Sequence, residues 1–322
     1  QVQLDLFNNL WWINYVLKSR QLGVSTLIAI LMLDYSIFRW DDLVTGGSIF
    51  QTHKICGIID KTKPDAEKKL DKIKLAYDML DYKDDPINAT LGKEIKKNIK
   101  TKSRTKLYMS WDNGCSIYAG DAFRGLTGQF LHITEIGHVS LHWPQKAIEI
   151  KTGTLNATHE GSRVFIETTH MGGRSGVSYD LMKLAQASPK TEEEGLTYKD
   201  IRFFFFNWMQ DKDNVINCRD SYVFKDDTIR YFDVLKKEYS IEVSRDQMLF
   251  YEKAKSIHGE KIYEEHPSVA EEVIASSVVG SIYGSTINKI RSEGRIADFK
   301  VMKEWPMYCF WDVGMTDYTA FW

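Results

Sequence analysis

Residues 14–38 constrain the fold more than any other stretch of the chain. Asn14-Tyr-Val-Leu-Lys18 is a short β-favouring run, Ser19 to Gly23 breaks it, and Ser25 to Phe38 is apolar and rich in Leu, Ile, Ala and Met. Those residues favour helix, so the segment predicts strand, tight loop and helix in direct succession. The same alternation continues. Lys54 to Asp60 reads as a second buried strand, and Pro64 opens a lysine-rich amphipathic helix to about Leu80, with Pro at its favoured first-turn position. Strands are expected at Leu107 to Ser110, Ser116 to Ala119, Phe130 to Thr134 and Val164 to Thr168. Helices are expected from Pro144 and over Gly176 to Ala187. This order predicts an α/β fold with a mostly parallel sheet covered on both faces. Asp84 to Lys106 is polar and reads as a loop, Ile201 to Trp208 as an aromatic strand, Asp246 to Lys255 as a helix, His266 to Ala275 as a connector and Tyr308 to Asp312 as a final strand.

Composition narrows the classes. With 322 residues and 43% hydrophobic content, the chain can bury one large core or two smaller ones. Its formal charge of -2 neither demands nor excludes nucleic acid, so any such contact must come from local basic patches. Cys56, Cys115, Cys218 and Cys309 form no CxxC pair, which argues against a zinc site or a disulfide framework. No run reaches the roughly 18 uncharged apolar residues of a membrane span, since Asp34 interrupts Val24 to Phe38. No signal peptide is recognisable, and a start at Gln1 suggests that both ends are cut.

The loop after the first strand bears on chemistry. Phosphate-binding loops join a strand to a helix N-terminus, and their backbone N–H groups and helix dipole hold anionic oxygens. Their usual spelling is GxxxxGK[ST]. Here the positions are Lys18, Ser19, Arg20, Gln21, Leu22, Gly23, Val24 and Ser25, followed by Thr26. Gly23 and Ser25 match, but Lys18 replaces the first Gly and Val24 the signature Lys. Phosphoryl transfer needs positive charge on the β- and γ-phosphates, which Lys18 and Arg20 could supply from the flank of the loop. Ser25 retains the hydroxyl that holds Mg²⁺ in such loops. A second element, Phe130-Leu-His-Ile-Thr-Glu135, is a hydrophobic strand ending in an acid, where such enzymes carry Asp-Glu. Thr134 takes the place of the Asp, and Glu135 remains as a candidate to polarise water. Either element alone fits an ordinary α/β protein better than a nucleotide site.

Taken in order, six segments resemble the large terminase subunit of tailed bacteriophages. Leu17 to Thr26 resembles that family's deviant Walker A motif, with its cation at the motif's start. Arg124-Gly-Leu-Thr127 resembles its RG-x-T segment, and Leu131 to Glu135 its Walker B strand. Phe165-Ile-Glu-Thr-Thr-His170 stands at its coupling motif, and the aromatic strand ending at Asn207-Trp208 at its F-x-PW segment. Glu265-His-Pro-Ser-Val-Ala-Glu-Glu272 resembles the stretch joining ATPase to nuclease, and Trp311 to Ala320 the first strand of an RNase H-like nuclease. Thr134, His170 and Asn207 depart from the family's usual Asp, Asn and Pro.

The resemblance implies a P-loop NTPase of the ASCE, RecA-like type. Its core would span 1–190, with a lid subdomain at 191–264, a linker at 265–303 and the start of a truncated nuclease at 304–322. It implies ATP and Mg²⁺ as ligands, with Lys18 and Arg20 on phosphates, Ser25 on Mg²⁺ and Glu135 as catalytic glutamate. Arg124 would be an arginine finger acting on a neighbouring subunit, and Thr168, Thr169 and His170 would couple hydrolysis to movement. Asp312 would be the first metal ligand of an incomplete nuclease site that takes a divalent metal only in a longer protein, so the chain as given is expected to lack nuclease activity. The implied activity is ATP-driven translocation of double-stranded viral DNA into a procapsid. The implied partners are DNA, the portal protein and the small terminase subunit, around a homo-oligomeric ring in the host bacterial cytoplasm. Two other readings stay open: a non-hydrolysing nucleotide-binding scaffold of a packaging complex, and a helicase-like DNA-dependent ATPase.

Read without the resemblance, other features have plainer meanings. Arg124 fits a helix cap or a partner for Asp121. The basic run Lys93 to Lys106 fits a solvated loop as well as a grip on DNA phosphates. Phe203 to Phe206 reads as a buried strand rather than a base-stacking platform, and His132, His138 and His142 as structural residues rather than metal ligands.

Overall fold

The computed structural model describes residues 1–40, 49–82, 86–122, 128–156, 159–169, 171, 173–276, 311–312 and 320–321. The chain runs α1 (Val2–Asn8), β1 (Ile13–Lys18), α2 (Val24–Ile37), β2 (Ile55–Ile59), α3 (Lys63–Met79), α4 (Pro86–Asn98), β3 (Thr101–Arg104), β4 (Tyr108–Trp111) and β5 (Ser116–Gly120). It continues through β6 (Phe130–Thr134), α5 (Ile136–His142), α6 (Pro144–Asn156), β7 (Arg163–Thr168), α7 (Gly176–Ala187) and β8 (Ile201–Phe206). Then follow α8 (Asp226–Tyr239), α9 (Arg245–His258), α10 (Ile262–Glu265), α11 (Ala270–Ser276), β9 (Trp311–Asp312) and β10 (Ala320–Phe321).

The expected parallel sheet is present. Eight strands take the order β3-β4-β5-β2-β6-β7-β1-β8. All pairings from β5 to β8 are parallel, and the hairpin of β3 and β4 adds an antiparallel edge. β7 lies between β1 and β6, so one strand separates the loop-bearing strand from the acid-bearing strand. This is a mixed α/β fold with an eight-strand, mostly parallel sheet. Among the described residues no helix is long and apolar enough to cross a membrane.

Side chains alternate across the sheet, and two cores result. Val16, Ile58, Phe130 and Phe165 pack with α2 and α3 on one face. Tyr15, Leu17, Leu131, Ile133 and Ile166 pack with α5, α6 and α7 on the other. The same parity puts His132, Thr134 and Glu167 on the α2 face, among buried apolar neighbours.

Three stretches differ from the sequence reading. The polar run from Asp84 to Lys106, read as a loop, contains α4 and β3. Its apolar face is short, with Ala89, Ile95 and Ile99 buried, and the surrounding lysines obscured it. Three of that run's seven basic charges are paired within the fold: Lys96 pairs with Asp81, Lys97 lies 3.6 Å from Glu94, and Arg104 grips Asp78 with two 2.7 Å bonds. Residues 266–275, read as a connector, contain all but the last residue of α11, whose Ala270 and Val273 are buried against the second core. The aromatic strand β8 forms a sheet edge, so Phe203, Phe204 and Phe205 are only half-buried while Phe206 is buried. The sheet thus extends into 201–206, within the segment expected to form a lid.

Beyond β8 the chain builds a third, smaller core. Trp208, Phe232, Leu235, Tyr251, Ala254, Ile262 and Val269 form it, and α8 and α9 supply most of its walls. Trp208 is fully buried, stacks on Phe250 and Tyr251, and donates from its indole nitrogen to Ser268 at 2.9 Å. Residues 1–279 and 280–322 form two compact units, and β9 and β10 pair antiparallel within the second.

Replacing Trp208 by Ala empties the centre of the third core and removes one of the bonds to the Ser268 hydroxyl. The expected loss is about 3–5 kcal/mol in urea-induced unfolding. Trp208→Phe, which keeps most of the packing, is expected to lose distinctly less.

Candidate functional site

The site is built at the C-terminal ends of β1, β6 and β7, where parallel strands leave a crevice. β1 ends at Lys18, which is only 8% exposed. The chain then turns through Gln21 and Gly23, both with left-handed backbone, φ 65° and 71°. Gly23 is the cap of α2, and a Cβ there would collide with the Gln3 amide, so both the backbone angle and the space favour glycine. Among the described residues the N–H groups of Leu22 to Ser25 have no backbone acceptor. A helix N-terminus with unspent donors is an anion-binding arrangement.

The next side chains diverge. Val24 is 1% exposed and packs in the first core, so the position of the usual loop lysine is apolar and turned inward. Ser25 donates its hydroxyl to Glu167 Oε1 at 2.5 Å. Thr26 accepts from Lys72 Nζ, on α3, at 3.0 Å. Ser19 and Arg20 turn away from α2. The Ser19 hydroxyl donates to the Glu265 carbonyl at 3.0 Å, the Arg20 amide donates to the same carbonyl at 3.3 Å, and the Arg20 guanidinium pairs with the Glu265 carboxylate.

Glu167 is the residue that the sequence reading passed over. It is the fifth residue of β7, is 1% exposed, and stands beside Thr134 in the sheet register. Its Oε2 and the Thr134 hydroxyl are buried with no hydrogen-bond partner among the described residues, and His132 Nε2 lies 3.1 Å from Oε1, poorly aligned for donation. Burial pushes the Glu167 carboxyl up, but the Lys18 ammonium and His132 outweigh it and hold the group well below the usual carboxylate range. Glu167 is therefore an anion at neutral pH. His132, expected to be structural, stands beside this carboxylate.

Glu135 follows β6 with left-handed backbone, φ 57°, and caps α5. Its amide donates to the Glu167 carbonyl at 2.9 Å, and Thr168 Oγ1 accepts from the Gly137 amide at 3.0 Å. A Cβ on Gly137 would lie 2.8 Å from both Thr168 Oγ1 and the Thr169 carbonyl, so the end of β7 and the start of α5 are pressed together. Glu135 borders a shallow concavity whose other walls include Asp60, Lys61, Asp65, Lys69 and Lys72. Burial pushes the Asp60 carboxyl up, and Glu135 adds to that, against the pull of the Lys61 amide and Lys69.

The fold thus brings Lys18, the loop through Thr26, Glu135 and Thr168 to one place, and adds Glu167. Thr169 follows directly at the end of β7, half-buried. Arg124 and His170 lie outside the described residues. Asp312 lies on β9, paired with Ala320. Among the described residues no group of three or more His, Cys, Asp or Glu is suited to a metal ion. The oxygens of Ser25, Glu167 and Thr134 nonetheless fit Mg²⁺, which takes hard donors, often one carboxylate plus substrate phosphates and waters. The orphaned Glu167 Oε2 is the observation that supports the fit.

Glu167→Gln removes the buried anion that faces Lys18 and Ser25. A loss of roughly 3–5 kcal/mol at pH 7 is expected in urea unfolding. Because the folded carboxyl is depressed below its free value of 4.5, its contribution is complete above that value and is lost as pH falls towards the folded one. The gap between wild type and variant is therefore expected to hold from pH 7 to about 5 and to close in stronger acid.

No family model matches the chain, and no curated protein matches it. Among solved structures, the chain is similar to the large terminase ATPase domain of Thermus phage P74-26, with TM-score 0.47, 12% identity, and coverage of 83% of this chain and 91% of that one. It is also similar to the HK97 bacteriophage large terminase, with TM-score 0.48 and 12% identity, covering 82% of this chain and 48% of that one. A third similarity is to the large terminase of a thermophilic bacteriophage in complex with ATP-gamma-S, with TM-score 0.35 and 12% identity over 71% of this chain and 47% of that one.

Proposed function

We propose that this chain is the ATP-hydrolysing motor part of a phage large terminase, and that it drives double-stranded DNA into a procapsid. The observation that carries the nucleotide half is the Ser25–Glu167 bond. It sets a loop hydroxyl in the first turn of α2 against a buried carboxylate, one strand from Glu135. The packaging half is supported by the six ordered motif resemblances.

In this reading the triphosphate lies over the loop from Lys18 to Thr26. The amides at the start of α2 donate to its oxygens, and the Lys18 ammonium supplies charge. Arg20, paired with Glu265, joins the phosphate contacts only when that pair opens. Ser25 and Glu167 would hold Mg²⁺, which supplies charge neutralisation at the β- and γ-phosphates. Glu135 orients water toward the γ-phosphorus and receives its proton. The bond from the γ-phosphorus to the bridging oxygen breaks, leaving ADP and phosphate. Arg124 of a neighbouring subunit stabilises the charge on the transferring group, which requires a ring. Thr168, Thr169 and His170 relay loss of the γ-phosphate. Portal protein and small terminase subunit are the partners of such a motor, the bacterial cytoplasm its place, and Asp312 a ligand for a divalent nuclease metal in a longer protein.

A second reading is favoured by Val24 and Thr134, which leave the usual lysine and aspartate out of the site. It makes the chain a nucleotide-binding scaffold that does not turn over. DNA-stimulated phosphate release separates the two. The motor is expected to release phosphate, and Glu135→Gln to lower the rate by about 10²–10⁴ while ATP affinity changes little. ATP binding by calorimetry without any release from an assembled oligomer would replace the motor with the scaffold.

A further inference from the structure

The site contains a cationic cluster that the loop sequence does not account for. α3 packs against α2, and its lysines divide by pairing. Lys68 pairs with Asp65 at 3.1 Å and Lys74 with Asp71 at 2.7 Å, each one turn back on the same helix. Lys69 and Lys72, three residues apart on one side of α3, make no ion pair within 4 Å among the described residues. Both line the concavity beside Glu135. Lys72 reaches across to α2 and spends one donor on the Thr26 hydroxyl at 3.0 Å.

Lys18 approaches the same space from β1. It is more than nine-tenths buried, and its ammonium makes no hydrogen bond or ion pair among the described residues. Its nearest compensation is the field of Glu167. The ammonium groups of Lys18, Lys69 and Lys72 stand near Glu167, with Asp60, Asp65 and Glu135 along the same concavity, and the cationic crowding shows at Lys72. Partial burial, Lys69 and Lys18 push its ammonium down, and Glu167 only partly offsets them. Like charges crowded at Lys72 favour an anion beside it. The helix amides beside them ask for the same ligand.

We propose that Lys72 is a further phosphate-contacting cation of this site, beside Lys18, and does from α3 what a loop lysine does in a usual phosphate-binding loop, where this chain has Val24. Lys69 reinforces it from the next turn, on the side of Glu135. The lysine has two donors to spare after Thr26 and a flexible four-carbon stem, so it reaches phosphate oxygens without movement of the loop. This assignment rests on the nucleotide reading above and deepens it, by placing the missing charge on a neighbouring helix.

The test is calorimetric binding of ATP to the whole chain at several salt concentrations. The variants are Lys72→Met, which keeps the apolar stem, and Lys72→Ala, with Lys97→Ala on α4 as a charge-matched control. Both Lys72 variants are expected to weaken ATP binding about tenfold, the size of one charge-assisted contact, and to flatten its salt dependence. Inorganic tripolyphosphate is expected to lose affinity in the same proportion, which a purely structural contact between Lys72 and Thr26 would not impose on the salt dependence. Lys97→Ala is expected to bind as wild type does. If wild type binds ATP and Lys72→Met binds as tightly with the same salt dependence, this assignment falls and the nucleotide reading stands. If wild type binds neither ATP nor tripolyphosphate, both fall together.

Discussion

A carboxylate inside a sheet persists as an anion only where cations and donors surround it, and much of this site follows from that requirement at Glu167. The group stands on the central strand of the trio β1, β7 and β6, and it collects a partner from each side. Ser25 donates from α2, Lys18 provides field from β1, and His132 approaches from β6. Desolvating such a charge costs several kcal/mol without partners, so the arrangement around it is correspondingly specific. The loop, the acid-bearing strand and the strand between them are tied together by one side chain rather than by three independent contacts.

Much of the fold was legible because its strands and helices alternate with clear apolar runs. β1, α2, β6, β7 and α7 fall within a residue or two of their expected limits. What escaped has physical reasons. The apolar side of α4 is thin and its surface is crowded with lysines, so the helical period is faint. α11 is short, and its burial depends on the sheet face it lands on, which local pattern does not reveal.

The site was legible by halves. Lys18, Gly23, Ser25 and Glu135 announce themselves by spacing along the chain. Glu167 does not, since its partners lie on other strands and 142 residues away in α2. The one local signal was an acid set in the apolar run Val164 to Ile166, where alternation turns it inward. Lys69 and Lys72 were hidden for the opposite reason. They look like any other lysines on an amphipathic helix until the pairing of Lys68 and Lys74 leaves them apart.

The segment 265–268 has a double attachment. At one end Glu265 holds Ser19 and Arg20 of the loop, through its carbonyl and its carboxylate. At the other end Ser268 receives bonds from Trp208 and Tyr231 in the third core, and its amide donates to Glu272 at 2.8 Å. Four residues thus connect the rim of the crevice to the body that follows β8. Linkage makes such a connection symmetrical. If an anion that competes with Glu265 for Arg20 is coupled to the third core through this segment, the coupling free energy is the same in both directions. The loop's rim and the third core are thus joined through one short segment that begins at the partner of a single arginine.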